Sequence, residues 1–229
     1  MLDAGRYGEN SLDYYFDLCS IEGKKVIKDL RIVGKTAFQI DRLLLTPSFL
    51  CLLEVKNITG TIYFDQDAHQ LYGETEDKND IFPDPLLQVD LQKAQLRRFL
   101  LEYSIDIPPI FTASVFVHPN ARLLLQDYSE RSRILTGIAL PSYLEKLAKK
   151  YPPVITSHQV ELLSRFLESH HQSAVINILE KYEVLWEDLI KGVRCPSCNQ
   201  YAMKRNRMRW ECPHVEHVVK KHIYAHYMN

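Results

Sequence analysis

Two largely apolar runs, 43–46 and 49–53, joined by a Pro-Ser turn restrict the fold of this chain more than any other feature of its sequence. Such runs on either side of a turn are typical of two buried strands in one β-hairpin. Charged residues stand at the outer ends of both strands, with Asp41 on the first and Glu54 and Lys56 on the second. Because a buried carboxylate without a partner is costly, this arrangement indicates a site where the charges compensate one another or bind a ligand.

The register of this hairpin decides whether its charged residues can meet. A turn centred on 47–48 places Asp41 opposite Glu54, with Cβ atoms about 5 Å apart, whereas a slip of one residue turns Asp41 to the other face. Lys56 shares the face of Glu54, and Val55 points away but can offer its carbonyl oxygen. Two carboxylates, a carbonyl and water suit Mg²⁺ or Mn²⁺. We therefore expect a metal site for phosphodiester hydrolysis, with Lys56 orienting the attacking water or offsetting transition-state charge.

The Asp-x(12)-Glu-x-Lys pattern resembles the catalytic motif of the PD-(D/E)xK nuclease superfamily. Neighbouring residues make the chain more specifically similar to NERD (nuclease-related) domains over about residues 5–120. The residues that carry this resemblance occur in the family's order: Gly8-Glu9, Gln39-Ile40-Asp41, Glu54-Val55-Lys56-Asn57 followed by Gly60, and Asp84-Pro85-Leu86-Leu87-Gln88. The resemblance implies an α/β fold with a mixed sheet flanked by helices, and an Mg-dependent deoxyribonuclease activity.

The resemblance also implies roles for Glu9 and Gln88. In NERD-like nucleases an acidic residue of the first helix assists the metal, and a glutamine beside the active site can bind a metal water or a DNA phosphate. Both residues also have ordinary explanations. Glu9 is a favourable charge at a helix N-terminus, and Gln88 is a surface residue one turn into a helix that begins at 83–85 and runs to about 102.

Hydrophobic periodicity gives the remaining elements and three segments of the chain. We expect strands near 25–33, 38–46, 49–56, 60–65 and 110–117, an acidic loop at 73–82, and a helical pattern over 141–191. We assign a nuclease-like domain to 1–125, a helical linker to 126–191 and a small C-terminal module to 192–229.

Three of the five cysteines lie in the C-terminal module, in Cys195-Pro-Ser-Cys198 and at Cys212. Two knuckles at this spacing, with the residues between them forming strands, are typical of a structural zinc ribbon. The zinc ribbons that follow some NERD domains have a second Cys-x-x-Cys, whereas position 215 here is Val, so His214 or His217 has to supply the fourth ligand. The alternative is a cluster of three thiols that packs or oxidises without zinc.

The C-terminal module is also basic. Residues 190–229 contain eight Lys and Arg against two acidic residues, although the whole chain has a formal net charge of −1. Cations and one aromatic residue alternate between the knuckles, a pattern that suits phosphates and a stacked base but equally suits a solvated ribbon face. The residues in question are Lys204, Arg205, Arg207, Arg209 and Trp210.

These observations favour a cytoplasmic nuclease that acts on nucleic acid, with DNA as the expected substrate. No apolar run approaches the roughly twenty residues of a membrane span, and the N-terminus lacks a signal-peptide pattern, so we expect no membrane partner. The alternative is a catalytically silent module that uses the nuclease fold and the ribbon to bind nucleic acid or to dock a protein. Competent side chains at all five predicted active-site positions favour the enzyme.

Overall fold

The computed structural model describes residues 12–75, 79–126, 128–174, 177–189, 192–207, 209–215 and 218–220. The chain divides into two compact units, Met1–Ser173 and Ala174–Asn229. This division differs from the predicted boundaries after residues 125 and 191, because one strand and two helices of segment 126–173 pack into the core of the first unit. The assignment of 1–125 to a nuclease-like domain, 126–191 to a linker and 192–229 to a C-terminal module stays a prediction.

A five-stranded mixed sheet forms the centre of the first unit. Its order is β1-β2-β3-β7-β9, in which β1, β2 and β3 are antiparallel neighbours, and β3, β7 and β9 are parallel. The strands are β1 (Lys25–Val33), β2 (Ala37–Leu45), β3 (Leu50–Lys56), β7 (Ile110–Phe116) and β9 (Ile134–Thr136). The predictions for the first four are confirmed to within one residue at each end, and β7 is central as its apolar run indicated.

Both faces of this sheet are buried, which explains the near-continuous apolar sequence of β3. Leu50 and Leu52 face a core formed with two helices, and Cys51 and Leu53 face a second core on the opposite side; all four are 0% exposed. Helices α2 (Pro85–Glu102) and α4 (Ser157–Ser169) cover the first face, and helix α1 (residues 12–17) and helix α3 (Leu140–Lys150) cover the second.

A second sheet of four strands lies in the same unit, in the order β6-β5-β4-β8. Its strands are β4 (Gly60–Asp65), β5 (Gln70–Glu74), β6 (Asn79–Pro83) and β8 (Ala121–Leu124). The acidic loop predicted at 73–82 is therefore wrong, because most of this segment lies in β5 and β6, where Glu74 pairs with Asn79. β6 is an edge strand with exposed and half-buried residues in alternation, so its polar composition concealed a strand.

The second unit contains a four-stranded sheet in the order β10-β11-β12-β13, and a short helix α5 (Ile178–Lys181). The strands are β10 (Val193–Arg194), β11 (Tyr201–Asn206), β12 (Arg209–Glu211) and β13 (Val218–Lys220). The ribbon strands expected between the two knuckles are confirmed. The helical pattern predicted over 141–191 is confirmed at α3 and α4. Among the described residues beyond Ser169, only α5, which the Asn177 side chain caps, and a 3-10 turn at Trp186–Asp188 are helical.

Across the described part of the chain, no helix is long and apolar enough to cross a membrane.

Candidate active site

The β2–β3 hairpin has the predicted register. The backbone N–H of Thr46 donates to the carbonyl of Phe49 at 3.0 Å, and the ladder continues outwards to the pair Arg42 and Leu53. One further step along both strands leads to Asp41 and Glu54. The alternative register, slipped by one residue, is therefore excluded.

Asp41 is held against β3 by a hydrogen bond to the backbone. The N–H of Val55 donates to Asp41 Oδ2 at 2.9 Å, and the Asp41 side chain is half-buried. This bond places the Asp41 carboxylate beside the segment that carries Glu54 and Lys56. The role of the Val55 carbonyl as a metal ligand stays a prediction.

Glu54 and Lys56 form a largely buried ion pair that α2 completes. Lys56 Nζ lies 2.7 Å from Glu54 Oε1, and Glu54 is only 3% exposed. Lys56 Nζ also lies 3.3 Å from Gln88 Oε1, so the structure brings the predicted glutamine into the site. Gln92, one turn further along α2, donates from Nε2 to Glu54 Oε2 at 3.3 Å. Each oxygen of the Glu54 carboxylate thus has a donor from a different element.

Gln92 was missing from the sequence prediction. The available signal was its spacing from Gln88, because residues four apart lie on the same face of a helix. Gln92 is buried, and its Oε1 has no hydrogen-bond partner among the residues described. The same is true of the hydroxyl of Ser114, which lies opposite Glu54 in the β3–β7 ladder. Since buried polar atoms are normally satisfied, these two mark an unusually polar environment around Glu54.

Arg42 was also absent from the predicted site, and it is 1% exposed within a largely apolar part of β2. Its Nη1 donates to the Asp41 carbonyl at 2.7 Å and lies 3.7 Å from Asp29 Oδ1. The alternation of β2 breaks here, because Ile40 and Leu43 both lie in the core that contains α2. Asp29, in the facing strand, has a φ of 50°, in the left-handed region. Arg42 therefore fixes the backbone of Asp41 at an irregular point of the sheet.

The site combines two carboxylates, an ammonium group and two amides. A comparison with known protein families shows to which family the segment that carries it belongs. Residues 4–117 match the family model described as NERD, nuclease-related domain. This segment is a NERD domain. It contains Asp41, Glu54, Lys56 and Gln88, and it ends directly after β7, so the family inferred from the sequence is confirmed. No curated protein and no solved structure gives a significant match to the chain.

A buried aspartate fixes the start of the helix that carries the two glutamines of the NERD domain. Asp84 Oδ1 accepts a hydrogen bond from the N–H of Leu86 at 2.8 Å and so caps α2. Tyr128 Oη donates to Asp84 Oδ2 at 2.6 Å, and Asp84 is 4% exposed. Burial raises the pKa of Tyr128, and the hydrogen bond to Asp84 raises it further, so its hydroxyl stays a donor.

We expect Asp84→Ala to reduce the free energy of unfolding by about 2–4 kcal/mol, because the helix loses its cap and a buried tyrosine hydroxyl loses its acceptor. Equilibrium unfolding in urea measures this loss. Asp84→Asn is the matched control, since its side-chain oxygen still caps the helix, and we expect it to lose about 1 kcal/mol or less. Equal losses in both variants would contradict the capping role.

In the second unit the three cysteines of the two knuckles come together. The sulfur atoms of Cys195, Cys198 and Cys212 all lie within 4.8 Å of one another, and those of Cys198 and Cys212 are 3.6 Å apart. Sulfur ligands at about 2.3 Å from a tetrahedral zinc ion are about 3.8 Å apart, so the cluster is compatible with zinc. Burial alone would raise the pKa of Cys195, but hydrogen bonds from the backbone of Cys198 and Ser197 lower it, which favours the thiolate.

Among the described residues, the group of possible metal ligands contains the three cysteines and no fourth member. His214 is exposed, and its ring nitrogens do not belong to the cluster that the three sulfur atoms form. His217 lies outside the described residues, and so does Glu9 in the NERD domain. The roles of these histidines and of Glu9 stay predictions.

The basic side chains of the ribbon lie on β11, on β12 and in the turn between them. The four predicted cations, Lys204, Arg205, Arg207 and Arg209, are all exposed. Arg209 Nε is 2.8 Å from Glu211 Oε1, so its charge is partly offset. Trp210 packs against the small core around Cys195 and Met203, where its ring stabilises the ribbon. Nucleic-acid binding by these residues stays a prediction.

Proposed function

We propose that this protein is a metal-dependent nuclease that hydrolyses phosphodiester bonds in DNA. The observation that carries the proposal is the meeting of Asp41, Glu54, Lys56 and Gln88, which come from two strands and a helix of a NERD domain. Two carboxylates beside an ammonium group match the chemistry of phosphodiester hydrolysis better than simple binding of an anion, because carboxylates repel phosphate unless a cation lies between them.

Asp41 and Glu54, with the carbonyl of Val55, are the residues that would hold Mg²⁺ or Mn²⁺. Their oxygen atoms are the ligands that these hard ions prefer. When bound, such an ion polarises the scissile phosphate and lowers the pKa of the attacking water.

Lys56 and Gln92 would supply the other groups that phosphodiester hydrolysis needs. Lys56, oriented by Glu54 and Gln88, would donate hydrogen bonds to the attacking water or to a phosphate oxygen, and its charge would offset the negative charge of the transition state. The oxygen of water bonds to phosphorus while a phosphorus–oxygen bond of the backbone breaks, which leaves a phosphate monoester and a hydroxyl group. Gln92 would hold the second oxygen of Glu54 in place.

We further propose that zinc stabilises the ribbon and that the ribbon binds the phosphates of the same nucleic acid. The cysteine cluster supports the first part, and the exposed cations of β11 and β12 support the second. Action in the cytoplasm belongs to this proposal as well, as an expectation from the sequence.

Cleavage of labelled linear DNA, circular DNA and RNA of the same sequence tests the proposal. We expect purified protein to cut DNA with Mg²⁺ or Mn²⁺ and to stop when EDTA is added. Cutting of the circle would identify an endonuclease. Binding of DNA without cutting, by protein shown to be folded, would contradict the proposal and favour the silent binding module instead.

A further inference from the structure

The first unit has a cavity at the open edge of β7, and Asp41, Glu54 and Lys56 do not line it. Its volume is about 770 Å³. β9 pairs with β7 only at residues 114–116, so the edge before Ser114 is left uncovered by a strand. The cavity, which we call the basic pocket, is lined mainly by Lys93, Arg97, Arg98, Phe111, Arg133 and Tyr143.

One cation of the basic pocket, Arg133, has a structural role. Arg133 Nε donates to the Thr112 carbonyl at 3.1 Å and so satisfies the open edge of β7. Its other nitrogens bind Asp90 at 2.5 Å and Glu130 at 3.0 Å, and Thr112 Oγ1 donates to Asp90 at 2.7 Å. The charge of Arg133 is therefore offset within the protein, and it is not available to a ligand.

The other three cations have no such compensation. Within the described ranges, no ion pair is formed by Lys93, Arg97 or Arg98, although the three lie within six residues of one helix. Phe111 and Tyr143 line the same cavity and provide aromatic surface. Clustered cations attract an anion, and cations together with aromatic rings suit a phosphate with its attached base.

The position of the basic pocket relates it to the carboxylates. α2 carries Gln88 at one site and Lys93 and Arg97 at the other, which at about 1.5 Å per residue separates them by about 8–14 Å along the helix. β7 likewise carries Ser114 opposite Glu54, and Thr112 two residues earlier, or about 7 Å away. At about 3.4 Å per nucleotide of one strand, these separations span about two to four nucleotides.

We infer that the basic pocket binds the sugar-phosphate backbone of a nucleic acid strand about two to four nucleotides from the bond that lies at Asp41, Glu54 and Lys56. The identity of the ligand rests on the proposed nuclease function. The pocket itself stands on its three uncompensated cations, its aromatic wall and its place on the same helix and strand as the carboxylate site.

Equilibrium binding in EDTA tests this inference without any cleavage. The probe is a fluorescent single-stranded oligonucleotide, and its anisotropy is followed over a range of salt concentrations. We expect Lys93→Gln/Arg97→Gln to weaken binding about tenfold and to reduce the slope of log K against log salt by about 1.4, since two phosphate contacts of a single strand are lost. The control Arg122→Gln/Lys149→Gln removes the same charge from exposed positions that do not line the pocket. We expect it to bind within twofold of the wild-type protein.

An unchanged affinity and salt slope in the pocket variant would overturn the inference. So would a mononucleotide that competes as strongly as the oligonucleotide, because the ligand would then be a free nucleotide and not a strand. A Glu54→Gln protein keeps the two proposals distinct. If it binds in a pocket-dependent way while the wild-type protein never cuts, the pocket stands and the nuclease function fails. If the wild-type protein cuts but the pocket variant binds normally, the nuclease function stands and the pocket inference fails.

Discussion

Lys56→Ala is expected to lower the rate of DNA cleavage by about a hundred- to a thousandfold. The ammonium group lies 2.7 Å from Glu54 and 3.3 Å from Gln88, so it is fixed before a substrate arrives. A fixed positive charge stabilises a developing negative charge without reorganisation, and its loss has to appear in the chemical step. Single-turnover cleavage of a labelled duplex measures this step directly.

The control has to separate lost chemistry from lost structure, because removing one partner of a buried ion pair can destabilise a protein. Glu54→Gln/Lys56→Gln removes both charges together and retains polar groups for Gln88 and Gln92. We expect the double variant to cut at least as slowly as Lys56→Ala, but to unfold closer to the wild-type temperature. A Lys56→Ala protein that cuts at the wild-type rate would contradict the role of Lys56.

The second large effect is expected at the thiol cluster. If zinc holds the ribbon, Cys198→Ser should abolish stoichiometric zinc and unfold the ribbon, because metal binding of this kind supplies about 10–16 kcal/mol in small zinc modules. Trp210 packs beside the cluster and reports its state. The other tryptophan, Trp186, is 61% exposed, so a Trp186→Phe background leaves Trp210 as the single tryptophan, whose emission can be excited selectively at about 295 nm or above.

The matched control for this experiment is Cys19→Ser. Cys19 is also buried, but it lies in the core of the first unit, and its sulfur is not part of the cluster. This variant should keep one zinc per chain and the native Trp210 emission. A ribbon that stays folded without zinc, with its thiols free or with Cys198 and Cys212 oxidised to a disulfide, would contradict the zinc assignment.

The hairpin that carries the site could be predicted because its signals agree with one another. The turn residues set the register, and the apolar runs on either side leave the strands no other burial pattern. β7 was predictable for the same reason, since a strand buried on both faces is almost wholly apolar. α2 began at the expected prolines, because Asp84 and Pro85 form an N-terminal signal.

Other parts of the fold depend on contacts that a sequence pattern does not show. β5 pairs with both β4 and β6, and this pairing stabilises the strands in spite of their polar sequence. The acidic segment 73–82 therefore resembled a loop. Arg42 is buried because Asp29 and the carbonyl of Asp41 surround its guanidinium group, and neither contact follows from the sequence. The contact of Gln92 with Glu54 depends on how α2 is rotated over β3, so the spacing from Gln88 alone was an incomplete signal.

The most direct test of the account is the cleavage rate of one duplex as a function of Mn²⁺ concentration, for the wild-type protein and for Asp41→Asn purified in parallel. We predict a saturable rate for the wild-type protein that falls to background in EDTA. The variant should stay near background at every concentration, because its carboxylate no longer helps to hold the ion. Equal rates in the two proteins, or cutting that persists in EDTA, would contradict a metal-dependent nuclease centre at Asp41, Glu54 and Lys56.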